Sequence, residues 1–121
     1  MPKKILIIDD ELDNMKIVVY RLRSQGYEVL TALAGWQGIE MGRIHKPDLI
    51  FLDYHLPEIE AGEVVRQIRA IEGQELVPII LFTADIQKIA TKVLDCGAVD
   101  YIIKPVAPEI LYAKVKKYLG T

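Results

Sequence analysis

The stretch Ile5-Leu6-Ile7-Ile8-Asp9-Asp10-Glu11 sets four consecutive aliphatic residues directly against three acids. Such a run reads as a strand covered on both faces, because a strand with one wet face would alternate apolar with polar. Leu12, Met15, Val18, Val19 and Leu22 then fall on one helical stripe, and Gly26 supplies a C-terminal cap. A buried strand feeding an amphipathic helix is a βα unit, the repeating piece of a parallel sheet.

Four more such units follow. Apolar runs at 27–31, 49–52, 78–82 and 99–103 match the first strand at 5–8. A second helix is expected over Gly35–His45, although Gly35, Gly38 and Gly42 each lower its propensity by about 1 kcal/mol against alanine. Pro47 ends it. Val64, Val65, Ile68 and Ile71 mark a third helix, while Ile86, Ile89, Ala90, Val93 and Leu94 mark a fourth with all five turned inward and Gly97 at its end. The last runs from about Pro108, suited to a first helical turn, through Leu111, Val115, Tyr118 and Leu119. The pattern predicts an α/β protein, a doubly wound five-stranded parallel sheet with five helices.

Bulk properties agree and exclude several functions. A chain of 121 residues, 51% hydrophobic and 26% charged, suits one globular domain over 1–121 with its own core. A net charge of -2 gives no basis for direct binding to nucleic acid. Lys114, Lys116 and Lys117 are expected to be a solvated helix face. No apolar run approaches the ~18 residues of a membrane span, the start has no signal-peptide pattern, and a single cysteine, Cys96, fits a reducing compartment. Cytoplasmic location without membrane insertion is the expectation. Cys96, in an apolar stripe, is expected to be buried and inert.

Ligands of an open parallel sheet gather at the carboxyl ends of its strands, near the point where strand order reverses. The residues there are Asp9 and Asp10 after strand one, Asp53 after strand three, Thr83 after strand four, and Lys104 and Pro105 after strand five. Each alone has a plainer role: Asp9, Asp10 and Thr83 as helix caps, Asp53 as a turn residue ahead of Pro57, Lys104 as a solvated loop residue. Their joint placement on one rim argues for a site. Two carboxylates about 4 Å apart repel by about 4 kcal/mol at an effective dielectric of 20, so three acids call for a cation, and Mg2+ favours oxygen ligands of this kind.

The run Ile5 to Glu11, the segment Asp53-Tyr54-His55-Leu56-Pro57, the pair Thr83-Ala84 and the segment Tyr101-Ile102-Ile103-Lys104-Pro105 together resemble the receiver domain of two-component response regulators, over essentially the whole chain. The resemblance implies a flavodoxin-like sheet of order 2-1-3-4-5. It implies that Asp53 accepts a phosphoryl group, that Asp9, Asp10, Asp53 and the His55 carbonyl hold Mg2+, and that Thr83 and Lys104 bond the phosphoryl oxygens. Thr83 and Tyr101 would form the conformational switch, and the bond before Pro105 would be cis, an isomer that costs a prolyl peptide only about 0.5 to 1 kcal/mol. The implied partners are a sensor histidine kinase or phosphotransfer protein and a downstream effector, with homodimerisation on phosphorylation through the face of helix four, strand five and helix five. Such a protein is no enzyme toward other substrates; it catalyses only its own phosphorylation and dephosphorylation.

One departure is visible: many receivers follow the proline with a hydrophobic residue, an acid and then glycine, whereas here the order is Glu58-Ile59-Glu60-Ala61-Gly62, with glycine one place late. Other functions fit less well. An aspartate-nucleophile phosphatase usually has a second acid two residues after the first, where this chain has His55. That histidine reads as an exposed loop residue, or as one tuning dephosphorylation. His45 reads as a helix-end residue. A flavodoxin-like cofactor binder would have a glycine-rich first loop in place of Asp9-Asp10-Glu11-Leu12-Asp13. A phosphorylation-independent docking module of the same fold is the remaining alternative.

Overall fold

Five apolar runs can bury both faces only by lying side by side between helices, and the computed structural model, which describes residues 2–120, has them so. In chain order the elements are β1 Lys4–Ile8, α1 Leu12–Ser24, β2 Glu28–Ala32, α2 Gly35–His45, β3 Leu49–Asp53, α3 Ala61–Arg69, β4 Ile79–Thr83, α4 Ile89–Cys96, β5 Asp100–Ile103 and α5 Pro108–Leu119. The strands are parallel in the order β2-β1-β3-β4-β5. Successive side chains along each strand point to opposite faces. Ile5, Ile7, Phe51 and Phe82 therefore meet Met15, Val18 and Leu22 of α1 and Leu111 and Val115 of α5. Leu6, Ile8, Leu52 and Leu81 meet Val64, Val65 and Ile68 of α3 and Cys96 of α4. Phe51 and Phe82 stack across neighbouring strands at 4.9 Å and 9°.

The glycines of α2 have a packing reason that propensity alone hides. A Cβ at Gly38 would lie 2.6 Å from Ile8 Cγ1, and one at Gly35 would overlap Ile59, so this helix sits closer to β1 and the β3–α3 loop than side chains permit. Gly62 falls in the first turn of α3, facing the Cys96 backbone of α4. His45 is the last residue of α2, as expected.

Helix α4 departs from its sequence reading. It starts only at Ile89, after Lys88 takes a left-handed conformation with φ of 55°. Ile86 therefore lies outside the helix and exposed, while Ala90 and Leu94 face solvent. A helix of two turns meets the core along one narrow line, and that line runs through Val93 and Cys96 at helical spacing, with Ile89 half-buried one turn ahead. The apolar residues one step round the helix are left uncovered. Leu12, in the first turn of α1, is likewise about half exposed.

The lysines of α5 are not all solvated. Lys114 Nζ is 2.9 Å from both carboxylate oxygens of Asp100, Lys117 Nζ is 3.8 Å away, and Lys116 alone remains free of that cluster. Tyr118 donates its hydroxyl to the same carboxylate at 2.8 Å. Among the described residues, no helix is long and apolar enough to cross a membrane.

Candidate functional site

Strand order reverses at β1, which pairs with β2 on one side and β3 on the other, so the crevice beyond its carboxyl end is the place for a ligand. The structure brings the acids together there. Asp9 follows β1, Asp53 is the last residue of β3, and Asp10 stands on the rim; each offers a carboxylate oxygen within 4.8 Å of the others. Asp9 and Asp53 are buried and Asp10 is exposed. The donors are hard oxygens, one of them open to solvent, which is a set that fits Mg2+ and its retained waters.

Lys104 reaches this cluster from the end of β5. Its backbone N–H is bonded to the Thr83 carbonyl at 2.8 Å, which anchors it beside β4. The ammonium lies 2.9 Å from Asp9 Oδ2, 2.8 Å from Glu11 Oε1 and 3.6 Å from Asp53 Oδ2. Its strongest ties thus run to Asp9 and Glu11, with Asp53 the more distant partner. The peptide between Lys104 and Pro105 is cis, as the resemblance implies.

One ammonium stands against four acids, and the deficit appears on Asp53. Burial pushes its carboxyl up to about 6; the His55 N–H, 3.1 Å from Oδ1, pulls it down, and the charge on Asp9 raises it again. Lys104 is affected oppositely: burial lowers its pKa, but bonds to Glu11 and Asp9 and the nearby negative charges outweigh that and raise it. Glu11 is held below its ordinary range by the Lys104 bond. Sequence reasoning passed over Glu11 as a site residue, although it stands next to Asp10 in the quoted run.

Thr83, fully buried at the end of β4, does not bond the acids. Its hydroxyl accepts the Asp85 N–H at 3.0 Å and donates to the Asp85 carbonyl at 3.4 Å. The helix-cap role for Thr83 also falls away, because α4 begins six positions later. Asp9 does serve its local turn, accepting the Glu11 N–H at 2.9 Å. Tyr101, in β5, is half-buried against the core, with the Lys114 ammonium 5.8 Å from its ring centre. His55 is exposed and meets the Tyr54 ring edge-on at 4.9 Å. Cys96 is buried, and burial, followed by the charges of Asp95 and Glu60, raises its thiol pKa and so disfavours the thiolate form.

The family model for the response regulator receiver domain matches residues 5–116. The alkaline phosphatase synthesis transcriptional regulatory protein PhoP of Bacillus subtilis is 38% identical over 98% of this chain and 49% of its own length. The polar-differentiation response regulator DivK of Brucella anthropi is 31% identical over 99% of this chain and 98% of its own. Among solved structures, the receiver domain of sensor histidine kinase PA1611 from Pseudomonas aeruginosa, with magnesium ion coordinated in its active site cleft, superposes with a TM-score of 0.90 at 30% identity, covering 100% of both chains. The chain belongs to the response regulator receiver domain family of two-component systems, and its sheet has that family's CheY-like, flavodoxin-like order. It spans about half the length of PhoP and nearly all of DivK.

Proposed function

We propose that this receiver domain takes a phosphoryl group onto Asp53 from a phosphohistidine of a sensor kinase or phosphotransfer protein. The observation that carries the reading is the buried Asp53 carboxylate, pushed up to about 6, clustered with Asp9 and Asp10 and facing the Lys104 ammonium. A carboxylate oxygen of Asp53 attacks phosphorus, the phosphorus–nitrogen bond of the donor breaks, and the donor histidine recovers its ring nitrogen. Charge that builds on the phosphoryl oxygens needs fixed positive groups. Lys104 supplies one from 3.6 Å. Asp9, Asp10, Asp53 and the His55 carbonyl would hold Mg2+, which supplies further charge neutralisation when bound. Hydrolysis returns the carboxylate and inorganic phosphate as water attacks phosphorus and the bond to Asp53 breaks.

New oxygens on Asp53 draw the Thr83 hydroxyl toward them and open space for Tyr101, altering the face formed by α4, β5 and α5. A coupling of about 1 to 3 kcal/mol suffices for such a switch. That face, where Leu94 and Ile110 are exposed, is the surface offered to an effector or a second copy. The reading places residues 1–121 as a single receiver domain acting in the cytoplasm, catalysing only its own modification.

Incubation with magnesium and acetyl phosphate followed by intact-mass measurement tests the proposal. The expected result is one added phosphoryl group in the native chain and none in Asp53→Asn. A native chain that gains no mass would overturn the reading and favour a docking module that works without phosphate.

A further inference from the structure

Thr83 can serve a phosphoryl group only after it gives up the partner it now has. Its hydroxyl is engaged as donor and acceptor with the backbone of Asp85, two residues on in the β4–α4 loop. Asp85 is itself fastened by its side chain. Oδ1 accepts the Gln87 N–H at 2.9 Å, and Oδ2 accepts the Lys92 ammonium at 2.6 Å.

Lys92 comes from α4 and is only 17% exposed at its side chain, an unusual degree of cover for a lysine in so short a surface helix. The cover is Tyr54, whose ring centre lies 5.0 Å from Nζ. Tyr54 directly follows Asp53, and its N–H bonds the Phe82 carbonyl at 2.9 Å, one residue before Thr83. A closed circuit results: Asp53 to Tyr54 along the chain, Tyr54 to Lys92 by cation and ring, Lys92 to Asp85 by charge, and Asp85 to Thr83 by hydrogen bonds. Little else fastens this loop to the helix. The start of α4 has no side-chain cap, and Lys88 before it is left-handed.

We propose that the Asp85–Lys92 pair under Tyr54 is a latch that holds Thr83 in its unphosphorylated setting and so determines how readily the phosphorylated conformation is reached. This rests on the reading of Asp53 as phosphoacceptor. A ligand shifts a two-state equilibrium by its differential affinity, and weakening one state's own contacts raises affinity for whatever selects the other. Asp85 and Lys92 are therefore positioning residues; they act through Thr83 and need not touch the phosphoryl group.

The test uses beryllofluoride, a phosphoryl mimic that adds to a carboxylate in the presence of magnesium, titrated into the full chain and followed by NMR. Lys92→Met keeps the stem over Tyr54 but removes the charge, and is expected to tighten binding about fivefold, the upper range for a partly exposed ion pair. Asp85→Asn keeps an acceptor for the Gln87 N–H and should do the same. The double variant should gain no more than either alone, because both remove one interaction. Lys92→Arg should restore the native affinity. In the free Lys92→Met protein, the Thr83 and Asp85 amide signals should already lie part of the way toward their mimic-bound positions. Unchanged or weaker binding in Lys92→Met and Asp85→Asn, or gains that add in the double variant, would overturn the latch while native binding leaves the acceptor reading intact. A native chain that binds no beryllofluoride would overturn both.

Discussion

Asp53 and Asp100 are buried aspartates on opposite rims of one sheet, and they stand in opposite electrostatic states. Asp53 closes β3 among Asp9, Asp10 and a single shared ammonium, and its carboxyl is pushed up to about 6, chiefly by burial. Asp100 opens β5 and feels burial too, yet Lys114, the Tyr101 N–H and Tyr118 more than offset it and hold its carboxyl below the ordinary range. The second aspartate has all the positive partners it can use, so it fastens α5 to the sheet. The first has too few. Such a deficit, on a rim where ligands gather, is what the proposed phosphoacceptor site calls for, since a cation or an incoming group would offset it.

The contrast can be broken most directly with metal. Magnesium at about a hundredfold its dissociation constant should stabilise the native chain by about 2.7 kcal/mol against denaturant, as for any ligand that binds only the folded state. Asp10→Asn should lose most of that gain and Asp100→Asn should keep it. Equal gains in both variants would mean that the acids of the first rim do not hold the ion.

Removing Asp100 should have the next largest effect. Asp100→Ala leaves Lys114 and the Tyr118 hydroxyl without their acceptor and should cost about 2 kcal/mol in chemical denaturation. A loss under 0.5 kcal/mol, the range of about ±0.5 kcal/mol usual for surface changes, would make the cluster incidental.

The two rims also differ in how far they could be read beforehand. Strand ends carrying Asp9, Asp53, Thr83 and Lys104 were legible because the apolar runs stop there and sheet topology sends those ends to one edge. The boundaries moved by a residue, since Asp53 pairs with Phe82 and Thr83 with Ile103 as full members of their strands. Asp100 was not legible. Its partners lie 14 and 18 residues on, and their meeting depends on how α5 is rotated against β5; the one signal was Lys114 and Tyr118 at i, i+4 on a single helix face. The Asp85–Lys92 pair was hidden likewise, by a loop whose path no periodicity predicts. The glycines of α2 looked like weakness and proved to be clearance for Ile8 and Ile59, a close approach known only once both elements are placed.

A smaller and opposite effect is expected at Asp53. Because burial and the Asp9 charge outweigh the attraction of Lys104, the neutral isostere should relieve the folded state. Asp53→Asn, measured without metal at neutral pH, should be about 1 kcal/mol more stable than the native chain. A variant less stable than native would place Asp53 with Asp100 as a structural anchor and erase the distinction between them.

The finest test reads protons rather than stability at neutral pH. Burial, the bond to Asp100 and the Asp100 charge push the Tyr118 phenol up to about 12. The folded state thus grips this proton more tightly than the unfolded chain, where tyrosine titrates near 10. Its contribution to stability is complete below about pH 10 and drains away as the pH rises through about 12. Asp100 runs the other way: with its pKa lowered on folding, its contribution is complete above the ordinary carboxylate value and is lost as the pH falls through the depressed one. Asp100→Asn should therefore bring the highest tyrosine step of a spectrophotometric titration down toward the ordinary range and lessen the alkaline loss of stability, with Asp53→Asn changing neither. If the late tyrosine step did not move in Asp100→Asn, the phenol would owe its proton to burial alone, and Asp100 would no longer be the hub that holds α5 against the sheet.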